Sequence, residues 1–363
     1  MRLRHFETLR PVCPVCRAAG EAGTPLEIAH VALEAAGHVV EGLLHCGNPQ
    51  CQREYPVLDG VPLIIGNIRQ FIADGPLRVL ARRDLTPELE SLVGDCCGAG
   101  SDYDQVRQQV STYAWEHYGD LDPEEAECHP RPGTTLAALA AGYELAKPVA
   151  EGPVIDVGCA VGRGSFALAQ RTGELVLGVD LHYPMLRLAA EVLREGAVRY
   201  ARRRVGLVYD RREFEARFDA GENVDFWGCD AAALPFAAGT FAFAAALNVL
   251  DSIYAPRELL GSIERVLAPG GKAVLTSPYD WAPAATALEG WLGGHSQRSP
   301  SGGSSQLAVR ALLTPGGSPT PIAGLRLVAE RDDLPWHLRL HERSTMTYRM
   351  HLMVVHRTGA TPA

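Results

Sequence analysis

At 363 residues the chain is long enough for two or three units, at least one with a substantial core. Apolar residues make up 47% and charged residues 21%, and the formal net charge of −9 argues against a general electrostatic grip on nucleic acid. No apolar run approaches the roughly 20 residues needed to span a bilayer, and the opening MRLRHFETLRPVC lacks the apolar centre of a secretory signal. A cytoplasmic protein without membrane contact is expected.

Four of nine cysteines fall in the first 51 residues. CPVC places Cys13 and Cys16 two residues apart, and CGNPQC places Cys46 and Cys51 four apart, with 29 residues between the pairs. Two such pairs supply four thiolates, the full set for a closed structural zinc site, with no open position for a catalytic water. His45 beside Cys46 reads as a bystander. REYPVLDGVPLIIG follows as an apolar strand-like segment broken by the Asp59-Gly60 turn signal, closing a zinc-ribbon unit over 1–67. Cys96, Cys97, Cys128, Cys159 and Cys229 stand apart and read as small residues that happen to be thiols.

Residues 68–147 read as a mainly helical connector or lid, with Asp84 or Thr86 as a helix cap in DLTPELESLV. Its later part, VSTYAWEHYGD, is unusually aromatic for a connector.

Residues 148–363 alternate short apolar strands with amphipathic helices, the pattern of a parallel sheet wrapped by helices. The strands are PVIDVG, LVLGVDL, VDFWGCD, FAFAAALNVL and KAVLTSP. The arginine-rich RYARRRVGLVYDRREFEARF carries interleaved acids and reads as a solvated helical face rather than a phosphate-binding surface. A Gly/Ser/Pro-rich excursion near 293–321 reads as mobile, and two late strands after five parallel ones fit an antiparallel hairpin at the sheet edge.

In VIDVGCAVGRGS, Asp156 ends a strand and Gly158, Gly162 and Gly164 let backbone N–H groups approach a ligand closely. The order D-x-G-x-x-x-G differs from the dinucleotide G-x-G-x-x-G, and no P-loop lysine follows. Asp180 at the end of the second strand suits two ribose hydroxyls, Asp230 at the end of the third suits an adenine amine, and Asn248 and Asp251 end the fourth.

This ordered succession resembles the class I S-adenosylmethionine-dependent methyltransferases over about 125 residues, which implies a Rossmann-like, seven-stranded α/β sheet. The resemblance assigns cofactor contacts to Asp156, Gly158, Cys159, Ala160 and Gly162, to Asp180 and Leu181, to Asp230 and Ala231, and to Asn248. YAWEHYG, DVGCAVGRGSFALA, LTSPYDWAPAATALEGWLGG and DLPWHLRLHERSTMTY further resemble the C-terminal methyltransferase domain of the ovothiol-biosynthesis enzyme. That domain methylates an imidazole nitrogen of 5-thiohistidine. The iron-dependent portion of that family is absent here, and the cysteine-rich head stands in its place. The head is similar to small zinc-ribbon proteins that partner methyltransferases of translation components, which implies a protein partner.

Transfer from a sulfonium is an in-line displacement that depends mainly on positioning and water exclusion. For a nitrogen acceptor that must lose a proton, His117, Asp251, Tyr279 and His295 are the candidates. Tyr113, Trp115, Tyr118, Tyr279, Trp281 and Trp291 are candidates for an aromatic wall around a small planar substrate. The leading expectation is N-methylation of a small (thio)histidine-type molecule. A zinc-ribbon RNA methyltransferase and a cofactor-binding scaffold without turnover remain the alternatives.

Overall fold

The apolar runs that begin at Val154, Val176, Val224, Phe241 and Leu267 all become strands of one sheet in the computed structural model, which describes residues 1–20, 23–82, 84–125 and 130–359. Thirteen strands are present among these residues. The first four are β1 (Leu26–Ala35), β2 (His38–Cys46), β3 (Glu54–Leu58) and β4 (Val61–Ile64). They are followed by β5 (Val154–Val157), β6 (Val176–Asp180), β7 (Ala197–Val205), β8 (Val208–Glu215) and β9 (Val224–Cys229). The series closes with β10 (Phe241–Leu247), β11 (Leu267–Ser277), β12 (Leu325–His341) and β13 (Ser344–Arg357).

The main sheet runs β1-β2-β3-β4-β9-β6-β5-β10-β11-β13-β12. Its seven strands from β9 to β12 form the expected Rossmann-like α/β sheet, with β13 antiparallel to β11 and β12 antiparallel to β13 at the edge. Every residue of β5 and β9 is buried, as strands covered by helices on both faces require. On one face lie the helices Asp102–Tyr118, Thr134–Ala146, Arg163–Thr172 and Tyr183–Glu195; on the other lie Leu3–Leu9, Pro256–Val266 and Ser305–Leu312. A fully buried aliphatic side chain in these layers, such as Ile155 or Val179, contributes about 1.5–3 kcal/mol.

The cysteine-rich head is continuous with the sheet. β1 to β4 form an antiparallel meander, the Asp59-Gly60 turn joins β3 to β4, and β4 then pairs parallel to β9, with Leu63 opposite Gly228. Asn67 caps the helix Ile68–Asp74, and Thr86 caps the helix Pro87–Cys97.

The arginine-rich stretch after the helix Tyr183–Glu195 is a hairpin of β7 and β8, where a helical face was expected. Its side chains alternate, with Val198, Tyr200, Phe214 and the Asp122-paired Arg212 inward and most other charges outward, and Gly206 supplies the positive φ of the tight turn. This hairpin packs on the helix Asp102–Tyr118 and on β12: Ser111 Oγ accepts from Arg203 N at 2.8 Å, and Arg204 O accepts from Glu342 N at 3.2 Å. Helix, hairpin and the β12–β13 tip thus form a cap. The Gly/Ser/Pro-rich segment, expected to be mobile, folds in part into the helix Ser305–Leu312, which Ser304 caps and which buries Val309 and Leu312.

Candidate active site and cysteine cluster

The four head cysteines converge. Cys13 precedes the short helix Pro14–Ala19, Cys46 ends β2, and the turn Asn48–Cys51 brings Cys51 back toward them. All four sulfurs lie within 4.8 Å of one another, with Cys13 to Cys51 at 3.8 Å and Cys16 to Cys46 at 3.6 Å. Tyr55 Oη sits 3.1 Å from Cys13 Sγ, and Asn48 Nδ2 donates to Cys16 Sγ at 3.5 Å. Four thiols so placed can hold one metal ion. His45 turns away to Glu27 at 3.1 Å. Cys159 and Cys229 are buried, Cys96 and Cys97 are exposed, and Cys128 lies outside the described residues.

The head also touches the loop that follows β9, the strand next to β4. Arg17 Nη2 donates to Ala233 O at 2.8 Å, and Val12 N donates to Pro235 O at 2.9 Å, bracing the loop that follows Asp230.

The glycine-spaced turn sits where β5 gives way to the helix Arg163–Thr172, at the carboxyl edge of the parallel strands, where open α/β sheets bind ligands. Gly158 and Gly162 have φ of +72° and +88°. A Cβ on Gly162 would stand 2.5 Å from Phe226 Cζ, and one on Gly158 would stand 2.3 Å from Val249 Cγ2. The turn therefore requires glycine twice. Asp156 is buried, accepts from Ser165 Oγ at 2.7 Å, and is pushed up to about 6 by burial. It supports the turn from below.

Asp180 is half-buried, with Ala160 N donating to Oδ2 at 2.9 Å and His182 N to Oδ1 at 2.8 Å. Leu181 packs beside it against the core. Asp230 accepts from Ala232 N at 3.0 Å and from Tyr254 Oη at 2.8 Å, with Ala231 opening the short helical turn it caps. Asn248, at φ +58°, is locked to β11: Thr276 Oγ1 donates to its Oδ1 at 2.8 Å and accepts its N–H at 3.0 Å. Tyr118 Oη donates to Val161 O at 2.7 Å, which ties the cap helix to the turn.

Of the candidate proton acceptors, Asp251 and Tyr279 come together. Asp251 is 2% exposed, accepts from Asp280 N at 2.7 Å, and is raised to about 6 by burial. Tyr279, next in the chain to Asp280, is half-buried with its hydroxyl 2.7 Å from His351 Nδ1. His117 lies in the cap helix, where burial and then Arg163 lower it to about 3, so it is neutral at pH 7. Its Nε2 is 3.8 Å from Glu116 Oε2, and its Nδ1 is buried without a hydrogen-bond partner among the described residues. His295 lies in the Gly/Ser/Pro-rich segment and meets Ser296 Oγ at 2.7 Å; among the described residues no hydrogen bond joins it to the other three.

The aromatic candidates do not form one wall. Tyr113 is 6.4 Å from His117 and 6.4 Å from Trp336, whose ring stacks on Tyr348 at 5.1 Å. Tyr348 Oη donates to Asp280 Oδ2 at 2.9 Å, so this group reaches Asp251. Burial, with Asp180, Asp251 and Glu116 facing its hydroxyl, raises the Tyr113 pKa. Trp115 is buried under Arg339. Trp281 and Trp291 stack on each other at 6.0 Å and are tied to Ser305 and Thr286.

Sequence reasoning missed Trp336, Tyr348, His351 and Glu330. The first two stand in DLPWHLRLHERSTMTY, a segment used for resemblance but given no chemical role. All four sit on β12 and β13, and only the register of that ribbon brings them to the site.

Residues 155–275 match a family model described as a methyltransferase domain. A search of curated proteins finds no match. Among solved structures, the chain is similar to an S-adenosylmethionine-dependent methyltransferase of Methanosarcina mazei at 19% identity, covering 57% of this chain and 93% of that one, with a TM-score of 0.36. It is similar to the [4+2]-cyclase SpnF at 14% identity, covering 70% and 97%, with a TM-score of 0.41. A third is phosphoethanolamine N-methyltransferase 2 of Haemonchus contortus, 21% identical over 47% of this chain and 35% of that one, with a TM-score of 0.32.

Proposed function

We propose that this protein, an S-adenosylmethionine-dependent methyltransferase by its domain over residues 155–275, methylates a nitrogen of a small planar polar molecule of the (thio)histidine type. The observation that carries the reading is the cluster of Tyr113, Trp336 and Tyr348, linked through Asp280 to Asp251 at the same sheet edge as the glycine turn. Aromatic faces hold a flat ring, and a neighbouring acid holds its N–H or its positive charge. The imidazole acceptor implied by the ovothiol-type resemblance has that shape and polarity.

When bound, the cofactor supplies an electrophilic sulfonium methyl group. The half-buried carboxylates of Asp180 and Asp230 fit the ribose hydroxyls and the adenine amine. Gly158, Cys159, Ala160 and Gly162 form the cradle for the methionine end, held in shape by Asp156 from below and Tyr118 from above. Leu181, Ala231 and Asn248 complete its walls. The cap of helix and hairpin excludes water, which favours displacement of a neutral leaving group by a neutral nucleophile. Asp251 and Tyr279 stand where an acceptor proton would leave. His117 keeps its imidazole neutral and contributes shape.

The head is proposed to hold zinc as a structural ion. A tetrahedral site with Zn–S bonds of about 2.3 Å has sulfur–sulfur edges of about 3.8 Å, close to the 3.6 and 3.8 Å found here. Free thiols fit a reducing, cytoplasmic setting. The division into a ribbon (1–67), a connector (68–147) and a methyltransferase unit (148–363) belongs to the same proposal, as does a protein partner met through the ribbon. No helix among the described residues is long and apolar enough to cross a membrane.

An RNA substrate is disfavoured by the pairing of the arginine-rich hairpin. Arg199 meets Glu195 and Glu213, Arg202 meets Asp210 and Glu125, Arg204 meets Glu342, Arg211 meets Glu90, and Arg212 meets Asp122 and Glu124. Guanidinium groups committed to carboxylates are poorly placed to displace counterions from phosphates.

The test is incubation with the methyl donor and a panel of histidine, 5-thiohistidine, simple imidazoles and primary amines, read by mass spectrometry. Gain of one methyl by an imidazole compound supports the reading. Methylation confined to non-imidazole compounds would replace the acceptor.

A further inference from the structure

A hydrogen-bonded chain runs from Tyr279, next in the chain to the Asp280 that meets Tyr348, through the sheet edge to solvent. Tyr279, just past the end of β11, has a φ of +59°, a backbone state that a bulky side chain rarely takes. That state accompanies a ring turned toward β13, where its hydroxyl stands 2.7 Å from His351 Nδ1. His351 is 2% exposed and sits opposite Ser277 at the carboxyl end of β11. Its Nε2 lies 3.0 Å from Glu330 Oε2 on β12. Glu330 is 36% exposed and is held by Arg310, at 3.0 Å, from the helix Ser305–Leu312. The carboxylate assigns the hydrogen to Nε2, which leaves Nδ1 as the acceptor of the Tyr279 hydroxyl hydrogen. Four elements converge on this chain: the segment after β11, β13, β12 and the helix.

We propose that Tyr279 is the proton acceptor of the methyl-transfer reaction and that His351, oriented by Glu330, draws the proton onward. This rests on the reading that the protein methylates a nitrogen which loses a hydrogen. The nitrogen lone pair forms the new N–CH3 bond as the S–CH3 bond breaks, its electron pair remaining on sulfur. The nitrogen proton passes to Tyr279 Oη, the Tyr279 hydroxyl proton passes to His351 Nδ1, and the imidazolium is balanced by Glu330. The half-open Glu330 end returns the proton to water. Tyr279 touches the acceptor; His351 and Glu330 act through it as positioning residues. The charged groups facing Tyr279 are Asp251 from the loop after β10, Asp332 and Glu330 from β12, and Arg310 from the helix.

The experiment compares the full-length protein with Tyr279→Phe, His351→Asn and Glu330→Gln, measuring S-adenosylhomocysteine binding, kcat and acceptor KM across pH. The expected result is a fall in kcat of about 100-fold for Tyr279→Phe and His351→Asn. Acceptor KM and S-adenosylhomocysteine affinity should change less than about threefold. The Tyr279→Phe, His351→Asn double variant should be no slower than the slower single one, as groups acting as a unit behave. Glu330→Gln, on the outer end of the chain, tests the relay even if a substitution at the buried His351 disturbs folding; it should lower kcat and shift the acid limb of the pH profile. Wild-type kcat and an unshifted profile in Glu330→Gln, or wild-type kcat in Tyr279→Phe, would overturn the relay. Absence of any methyl transfer by the wild-type protein would instead overturn the reading beneath it.

Discussion

The carboxylate of Asp180 accepts the amide hydrogen of Ala160 at 2.9 Å, so the acid that ends β6 shapes the turn that ends its neighbour β5. One residue thereby serves as the proposed ribose acceptor and as a brace for the methionine-end cradle. Asp180→Ala removes both at once. The expected outcome is a loss of S-adenosylhomocysteine affinity of about 100-fold by calorimetry, two hydrogen bonds to a charged group being worth about 1.5–3 kcal/mol each before compensation. Far-UV circular dichroism should be unchanged.

Gly162→Ala tests whether the turn needs glycine for its backbone as well as for a ligand. At φ +88°, and with Phe226 Cζ only 2.5 Å from the added carbon, the substitution combines a disfavoured conformation with overpacking. A destabilisation of about 2 kcal/mol or more is expected from denaturant unfolding. Gly173→Ala also places alanine at positive φ but has no neighbour within 4 Å, and should cost visibly less.

The cysteine cluster should govern the cofactor site as well as the head. Elemental analysis is expected to find one zinc per chain, released by thiol modification. Because Arg17 and Val12 brace the loop after Asp230, metal loss should lower the melting temperature and weaken S-adenosylhomocysteine binding several-fold. A folded, metal-free protein of unchanged stability would remove zinc from the account.

His117 gives the fold a share of its acid sensitivity. The unfolded chain takes up a proton on this residue near pH 6.5, whereas burial holds the folded pKa at about 3. Its contribution is therefore fully present above pH 6.5 and is lost as pH falls toward 3, by up to about 1.4 kcal/mol per pH unit. His117→Gln should flatten the stability profile over that window. His38, lowered to about 4 by burial, will keep part of the slope.

The proposed cofactor half of the site could be read from sequence because its residues sit at strand ends that local pattern reveals. Asp156, Asp180 and Asp230 each close an apolar run, and the glycines mark the turn. The cysteine cluster was legible from spacing alone. The hairpin of β7 and β8 was misread because interleaved charges mask its inward alternation of Val198, Tyr200 and Phe214; the one local clue was the glycine of Val205-Gly206-Leu207-Val208. The proposed acceptor half was hidden for a different reason. Glu330 and His351 lie on opposite arms of a long ribbon with several register shifts, and which residues face each other across it is a tertiary outcome. The parallel pairing of β4 with β9, which fuses the head to the sheet, joins residues too distant in the chain for local pattern to reveal.

The most direct measurement of the central claim is the fate of labelled methyl. Purified protein is incubated with methyl-labelled S-adenosylmethionine and a cell extract separated into low-mass, RNA and protein fractions. Label is expected in the low-mass fraction and should be lost with Asp180→Ala. Label appearing only in the RNA or protein fraction would contradict that claim.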